Sequence, residues 1–190
     1  LFYPPDPASK GSCFIGGNIA ENSGGPKAVK YGVTKDWVLN LEIVLADGTI
    51  MWTGANVVKN ATGYNLTQLV VGSEGTLAFT TELKLQIVPL PKPFQVVLNA
   101  HFNSISESLQ ATLIAMKQAP TACELMDKTI LECTKDNISQ QKNRFFVEGD
   151  PEAILMVEFR GDTIEEAKQQ AQTLELNLKK LDLGFAYPLV

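Results

Sequence analysis

Short stretches in which apolar residues recur on one face of an extended chain predict six β-strands. The predicted strands are residues 38–45, 49–53, 83–87, 96–102, 122–126 and 153–159. Asp47-Gly48 separates the first two, and this dipeptide is a strong signal for a tight hairpin turn. The pattern therefore predicts an antiparallel hairpin early in the chain and a further strand that ends before Pro89.

Two longer segments have the periodicity and the start signals of amphipathic helices. Ser104 with Glu107, and Thr163 with Glu166, have the spacing of a capping box, in which side chains and backbone N–H groups at a helix start satisfy each other. The apolar stripes predicted to be buried are Ile105, Leu109, Leu113 and Met116 in the first helix, and Ile164, Ala167, Ala171, Leu174, Leu178 and Leu181 in the second. Shorter helices are predicted at 65–71 and 128–135, and a polar loop at 136–150.

Glycine and proline divide the chain into two parts. Eleven of the 14 glycines precede residue 94, and Pro89, Pro91 and Pro93 favour an extended connector. We therefore predict one domain at residues 1–93 and a second at 94–190. In the second, two successive strand–helix units predict a ferredoxin-like sheet with helices on one face. The fold class is α+β.

Composition excludes several classes of protein. The formal charge is −5 and no Lys/Arg-rich run occurs, so we expect no nucleic-acid partner. The longest apolar runs are strand-sized, so we expect no membrane span. Three separated cysteines and one histidine suggest a reduced, cytoplasmic setting and no resident metal centre. His101 is expected to be a partly exposed or hydrogen-bonded strand residue rather than a catalytic one.

Familiar nucleotide and hydrolase motifs are missing from the sequence. It has no GxGxxG after a strand, no GxxxxGK[ST] and no GxSxG. A Rossmann domain, a P-loop and a nucleophile elbow are therefore unsupported.

Two glycine-rich runs remain as candidate chemistry, residues 16–25 and 71–77. Glycine allows positive φ and close approach of backbone N–H groups to a ligand, so the first run is interpreted as a turn that meets a polar cofactor such as a diphosphate. An ordinary glycine-rich loop is the alternative for the first run alone.

The order of motifs resembles the FAD-linked oxidase and dehydrogenase family with the vanillyl-alcohol-oxidase type of flavin fold. Its similarity is greatest to the branch of glycolate oxidase flavin subunits, D-lactate dehydrogenases and D-2-hydroxyglutarate dehydrogenases. The motifs that carry the resemblance are Pro5-Asp6-Pro7, residues 11–18, Asn22-x-Gly24-Gly25, residues 30–32, residues 45–49, Thr62-Gly63-Tyr64 and residues 72–77, followed by residues 124–127. The chain lacks an initiating Met and is interpreted as a middle section, from the second FAD-binding subdomain into part of a ferredoxin-like cap.

The resemblance implies a non-covalently bound FAD. The residues expected to contact it are Pro5, Asp6, Ser12, Cys13, Ile15, Gly16, Gly17, Asn18, Glu21, Asn22, Gly25, Gly72, Glu74, Gly75, Ala78 and Phe79. Glu74 is expected to fix its loop through backbone N–H groups. Ala78-Phe79 departs from the Gly-Ile expected in most relatives. The catalytic base and the arginine that binds the substrate carboxylate are expected outside this chain, so no catalytic residue is assigned.

The activity implied is oxidation of a D-2-hydroxy acid, such as glycolate, D-lactate or D-2-hydroxyglutarate, to the 2-oxo acid by hydride transfer to flavin N5. The electron acceptor is left open among a quinone, an iron–sulfur subunit and oxygen, and the isolated piece is expected to be inactive. Two alternatives remain at this point. One is another chemistry on the same flavin fold, such as alditol or aryl-alcohol oxidation or an alkyl-glycerone-phosphate synthase reaction, and the other is a non-catalytic binding module.

Overall fold

The predicted hairpin forms in the computed structural model, which describes residues 1–57 and 59–190. Strands β1 (Val38–Val44) and β2 (Ile50–Trp52) pair antiparallel across the turn at Asp47 and Gly48. Gly48 has a φ of 85°, and the Asp47 carboxylate accepts a hydrogen bond from the Thr49 N–H at 2.9 Å. The positive φ explains why glycine stands at this position.

Strand β3 (Phe79–Leu85) pairs antiparallel with the other edge of β1, giving the sheet order β2-β1-β3. It begins earlier and ends earlier than the predicted strand at 83–87. Pairing with β1 sets these limits, because the register runs from Val44 opposite Phe79 to Val38 opposite Leu85. Ile87 therefore lies beyond the strand, and the prediction was wrong there.

Three short α-helices and a 3₁₀ turn at Thr34–Asp36 belong to the first compact unit, Leu1–Leu90. The α-helices are α1 (Ile15–Glu21), α2 (Ala28–Tyr31) and α3 (Leu66–Val70). The core of this unit consists of Ile19, Val38, Leu41, Ile43, Val70, Val71 and Ala78. Helix α3 confirms the helix predicted at 65–71, and the Asn65 side chain caps it by accepting from the Gln68 N–H at 3.0 Å.

A buried polar cluster ties α3 to the sheet. The Asn40 side chain accepts from the Gly54 N–H at 2.8 Å, and the hydroxyls of Thr53 and Thr67 lie 2.7 Å apart. Asn40, Thr53 and Thr67 are all buried, so each hydrogen bond satisfies a group that would otherwise be desolvated without a partner. The cluster fixes the start of α3, and the segment that follows α3 is therefore held in place as well.

The second compact unit, Pro91–Val190, is an antiparallel sheet with helices. Its elements are β4 (Phe94–Phe102), α4 (Ile105–Met116), β5 (Ala122–Asp127), α5 (Lys128–Lys135), α6 (Ile138–Gln141), β6 (Ala153–Gly161) and α7 (Ile164–Lys180). The strand order is β4-β6-β5. Beside β4, Val190 and Val97 exchange two backbone hydrogen bonds of 2.8 and 2.9 Å. With this terminal segment as a fourth strand, the order is terminal segment-β4-β6-β5. This is the order of a split βαβ repeat, which is the predicted ferredoxin-like arrangement.

The segment at 136–150, predicted as a loop, contains α6 and a 3₁₀ turn at Lys142–Arg144. The Asn137 side chain starts α6 by accepting from the Ser139 N–H at 3.0 Å. Arg144 then donates to the carbonyl oxygen of Leu131 and to the hydroxyl of Thr134 on α5. These polar side chains supply local caps and cross-links, which a prediction from polarity alone does not detect.

Helices α4 and α7 pack on the same face of the sheet, but only α7 buries most of its predicted stripe. Ala167, Ala171, Leu174 and Leu178 are buried there, whereas Leu181 at the helix end is exposed. In α4 the prediction was wrong. Its predicted stripe is exposed, with Leu113 at 68%, and the buried positions are Ser108, Ala111 and Ala115. The small side chains at these buried positions let α4 approach the bulky residues of the sheet closely. Tertiary packing therefore selects which face of the helix is buried.

His101 lies on β4 with its side chain fully buried, so the expectation of partial exposure was wrong and that of hydrogen bonding is confirmed. Its Nδ1 is 2.9 Å from the carbonyl oxygen of Asn99, and its Nε2 accepts from the Glu148 N–H at 3.1 Å. Since a carbonyl only accepts and an N–H only donates, the ring is neutral with its proton on Nδ1. Burial lowers the pKa of His101, against smaller opposing effects of the Asn99 carbonyl and the Glu148 charge.

We expect the second unit to lose stability on mild acidification. The folded-state pKa of His101 lies below its unfolded value of about 6.5, so its stabilisation is complete above that pH and is lost as pH falls through the folded pKa. The test is hydrogen exchange of the β4 and β6 amides, with each observed rate divided by the intrinsic rate at the same pH. As pH falls from about 7.5 to 5.5, this ratio should rise by at most about tenfold per pH unit. His101→Gln keeps a donor and an acceptor and should remove this dependence. Equal slopes for the two proteins would contradict the assignment.

Candidate functional site

A groove of about 270 Å³ lies in the first unit where α1 meets the segment between α3 and β3. We call it the glycine groove. It is lined by Gly16, Ile19, Ala20, Val70, Ser73, Glu74, Gly75, Ala78, Phe79 and Thr80. The two glycine-rich runs, which are about 50 residues apart in the sequence, thus form opposite walls of one concave surface.

Backbone hydrogen bonds join the two walls. The Gly72 N–H donates to the carbonyl oxygen of Ile19 at 2.9 Å, and the Glu74 N–H donates to that of Ala20 at 3.0 Å. Gly72 has a φ of 84°, and a Cβ built on it would lie 3.1 Å from the Cβ of Asn22. A side chain at Gly72 would therefore strain the backbone and crowd the point where the walls approach each other.

Gly16 and Gly17 are in the first turn of α1 and have helical backbone conformations, so their prediction as a turn with positive φ was wrong. A Cβ built on either would meet no atom within 4 Å. Glycine destabilises a helix by about 1 kcal/mol relative to alanine. No contact among the described residues requires glycine at these two positions. We interpret the two glycines as keeping space open beside the helix.

At Gly25, in contrast, a Cβ built on the backbone shows that the fold itself requires glycine. A Cβ there would overlap the carbonyl oxygen of Asp6 and lie 2.8 Å from its carbonyl carbon. The backbones of the segments around Asp6 and Gly25 are also joined by the Ala8 N–H, which donates to the Gly24 carbonyl at 3.2 Å. Gly25 therefore allows two backbone segments to touch.

These two kinds of glycine should respond oppositely to substitution by alanine. Gly25→Ala should lower the free energy of unfolding by about 1–3 kcal/mol because of overpacking. Gly17→Ala should raise it by up to about 1 kcal/mol through helix propensity. Both tryptophans, Trp37 and Trp52, lie in the first unit, so urea unfolding followed by tryptophan fluorescence measures the effect there. A destabilising Gly17→Ala would show that Gly17 has an unrecognised structural role.

The chemistry of the groove suits the uncharged part of a nucleotide cofactor. Gly16 and Gly75 present no side chain and Ala20 and Ala78 only methyl groups, so a flat group could approach the backbone closely. None of the lining residues is Lys or Arg, and Glu74 is the one acid among them. A carboxylate accepts hydrogen bonds from hydroxyl groups but repels a diphosphate. The groove therefore fits a ring or polyol portion of FAD better than the diphosphate predicted for the first run.

The groove has room for about nine water-sized groups, which is a small part of FAD. This chain can therefore supply only part of a flavin site. The N–H groups of the first turn of α1 receive no side-chain cap, and the buried Oδ1 of Asn18 has no partner among the residues that the structure describes.

Glu74 does not fix its loop through its side chain, so that expectation was wrong. The Glu74 side chain is exposed and makes no hydrogen bond within the described part of the chain, whereas its backbone N–H makes the contact with α1. Its φ is 51°, a conformation that is unfavourable for a residue with a Cβ. Strain of this kind at a groove is typical of functional positions.

Phe79 is 72% exposed at the first position of β3, whereas the neighbouring Ala78 is buried. The aromatic ring lies at the edge of the groove beside residues with little or no side chain. An exposed ring next to a flat, open floor provides an apolar surface for a planar ligand.

The remaining predicted site residues lie outside the groove lining. They are Pro5, Asp6, Ser12, Cys13, Ile15, Gly17, Asn18, Glu21, Asn22, Gly25 and Gly72. Asp6 forms ion pairs of 3.0 Å with Lys27 and Lys10, and although burial opposes it, these partners lower the pKa of Asp6. The Asn22 side chain accepts from the Lys35 N–H at 2.8 Å, so both side chains are already engaged within the protein.

Ile19, Ala20, Val70, Ser73 and Thr80 line the groove but were not predicted. Ile19 and Ala20 follow Gly16 by three and four residues, the spacing that places residues on one face of a helix. Recognition of α1 as a helix would have identified both. No comparable local signal marks Val70 or Thr80, which reach the groove through tertiary packing.

A second cavity of about 280 Å³ lies in the same unit and is more polar. Thr62, Gly63 and Tyr64 line it together with Lys35 and Asn65. The Thr62-Gly63-Tyr64 motif is therefore separate from the glycine groove.

Comparison with protein families assigns both units. Residues 1–54 match the FAD binding domain family, and residues 91–185 match the C-terminal domain of FAD linked oxidases, which is half of the chain. The chain belongs to the FAD-linked oxidase family. The cofactor of this family is FAD, in agreement with the prediction from the sequence.

Several curated relatives are similar over most of this chain. It is 40% identical to the glycolate oxidase subunit GlcD of Bacillus subtilis (strain 168) over 96% of its length, and 36% identical to the D-lactate dehydrogenase of Anaerostipes hadrus over 96%. It is 35% identical to the D-2-hydroxyglutarate dehydrogenase of Stutzerimonas stutzeri (strain A1501) over 92%. The chain spans only 38%, 39% and 37% of the respective lengths of these relatives.

Solved structures of alkyldihydroxyacetonephosphate synthase have the same fold. One superimposes with a TM-score of 0.68 at 21% identity and covers 96% of this chain and 34% of the synthase. A second has a TM-score of 0.67 at 20% identity. In the described part of the chain no helix is long and apolar enough to cross a membrane, and no group of three or more His, Cys, Asp or Glu residues could hold a metal ion.

Proposed function

We propose that this chain is part of an FAD-dependent oxidoreductase that oxidises a D-2-hydroxy acid to the corresponding 2-oxo acid. The glycine groove carries the proposal. It lies in the unit whose first 54 residues match an FAD binding domain, and its walls are open and carry a single charged side chain, that of Glu74, which suits a flavin or ribityl group.

The relatives favour hydroxy acids over the alternatives. Three relatives named for glycolate, D-lactate and D-2-hydroxyglutarate each align with more than nine-tenths of the chain at 35–40% identity. The likeness to alkyldihydroxyacetonephosphate synthase is at 21% identity, which supports the fold alone. We therefore rank an alkyl-transfer reaction below oxidation.

Bound FAD would supply the acceptor for the hydride that leaves the substrate carbon. Gly16, Gly75 and Ala78 would let the cofactor approach the backbone, Phe79 would cover an apolar edge of it, and the Glu74 carboxylate would accept from a hydroxyl group. Fixed backbone and short side chains lose little conformational entropy on binding, so this half-site would be preorganised.

The two parts of the chain would divide the work. Residues 1–93 would contribute to the FAD site, and residues 94–190 would form part of the cap that covers the substrate. The electron acceptor would be a quinone, an iron–sulfur partner or oxygen, and the cytoplasm is the proposed location. The proton acceptor and the carboxylate-binding arginine are assigned to parts of the protein outside this chain.

Loss of space in the glycine groove should remove the cofactor. In the full-length protein, Gly16→Val should lower the flavin content, measured by absorbance near 450 nm per mole of protein, at least tenfold. A Cβ built on Gly16 meets no atom within 4 Å beyond its chain neighbours and the backbone of its own helix, so the fold of this unit should remain intact. Lys30→Val is the control, since it places the same branched side chain on helix α2, away from the groove, and removes in addition only the Lys30 charge and its contact with the Tyr31 ring.

Full flavin content in Gly16→Val would contradict this placement of the cofactor. Loss of flavin in both variants together with a changed urea midpoint would indicate a folding defect and would also remove the support.

Substrate class is tested separately with the full-length protein. D-2-hydroxy acids should reduce the bound flavin anaerobically, seen as bleaching of its absorbance, and their L enantiomers should do so at least about a hundredfold more slowly, because a hydride must face the flavin in one orientation. A panel of glycolate, D- and L-lactate, D- and L-2-hydroxyglutarate, an alditol and an aryl alcohol covers the alternatives. Bleaching by the alditol or the aryl alcohol alone would contradict the proposal.

A further inference from the structure

An apolar cavity of about 250 Å³ lies in the second unit on the face of the sheet opposite to α4 and α7. Met126 on β5 and Met156 on β6 form its floor. They share a face because the register pairs Met126 with Ile154, two residues before Met156. Helix α5 and the segment that follows it form the walls, which include Leu131 and Phe146.

Arg144 is the single cationic residue among those that line this cavity. One nitrogen of its guanidinium, Nη1, donates to the carbonyl oxygen of Leu131 and to Oγ1 of Thr134, the latter at 2.6 Å. Within the described part of the chain Arg144 has no acidic partner, and its Nε and Nη2 groups have no acceptor. The side chain is half-buried, and a cation withdrawn from water is costly when it lacks a counter-ion.

An apolar floor with one oriented guanidinium defines the chemistry of a ligand. Arginine binds a carboxylate through two parallel N–H groups, and its attachment to α5 keeps the guanidinium plane from rotating. Methionine side chains adapt to an apolar tail, and dry apolar cavities lined by aliphatic and aromatic side chains bind small apolar molecules. A volume of 250 Å³ accommodates about eight water-sized groups.

We infer that this cavity binds a small monocarboxylate, with its carboxylate on Arg144 and a branched apolar tail over Met126 and Met156. 4-Methylpentanoate, with eight non-hydrogen atoms, has the required size and charge. The inference does not depend on the proposed flavin chemistry, since no residue of Leu1–Leu90 takes part.

Methionine methyl groups provide a direct test in the full-length protein. With [methyl-¹³C]methionine labelling, titration with 4-methylpentanoate should give saturable shifts at Met126 and Met156. Met51 lies on β2 and Met116 at the end of α4, so both serve as internal controls that should not move. The neutral 4-methylpentanamide should bind at least tenfold more weakly, because it loses the ionic part of the interaction.

Two variants distinguish the contribution of the Arg144 charge to binding from that of the apolar cavity. Arg144→Gln should weaken binding of the carboxylate at least tenfold and reduce its preference over the amide. Lys142→Gln removes the same charge from the same 3₁₀ turn at an exposed position that does not line the cavity, and it should bind like the parent.

Equal binding of acid and amide by the parent protein would overturn the inference, whatever the stability of the arginine variant. So would an absence of shifts at Met126 and Met156 with either compound, or equal losses in Arg144→Gln and Lys142→Gln.

Discussion

Two backbone hydrogen bonds hold the candidate site together. They join Gly72 to Ile19 and Glu74 to Ala20, and they bring segments that are distant in the sequence to within backbone contact. Ile19 is buried, and a buried carbonyl oxygen without a partner is costly, so the bond from Gly72 fixes the arrangement of the two walls and the bond from Glu74 reinforces it. The groove, its open floor and the exposed ring of Phe79 all follow from that arrangement.

The remaining features of the first unit support this junction. The Thr53–Thr67 hydroxyl contact fixes the start of α3, and the core residues Val70 and Val71 at its end lead directly to Gly72. Positive φ at Gly72, Glu74 and Gly75 turns the chain back towards β3. Glycine adopts this conformation without strain, whereas Glu74 does so at a cost of about 1–2 kcal/mol. The unit therefore stores strain at the wall of its groove, where a carboxylate side chain faces the space available to a ligand.

Sequence reasoning predicted the parts of this protein that depend on local signals. The Asp47-Gly48 hairpin, the caps at Ser104 and Thr163 and the stripe of α7 are encoded by neighbouring residues, and the structure has them. Sequence reasoning failed where tertiary contacts determine which residues are buried. The exposed and buried faces of α4 are both apolar, and only the close approach of Ala111 and Ala115 to the sheet selects one. The run around Gly16 contains glycines typical of a turn, yet it forms a helix because Ile19 is buried in the core. Five predicted cofactor contacts line the groove, whereas others such as Asp6 and Asn22 have protein partners.

Hydrogen–deuterium exchange of the full-length protein with and without FAD tests the placement of the cofactor most directly. Bound FAD should protect the backbone amides of residues 16–20 and 73–80, since they form the two walls of one groove. The amides of residues 128–147 in the second unit serve as the reference, because they line no part of that groove. Protection of both walls together is the predicted result. Tight FAD binding that leaves both walls unprotected would contradict the account.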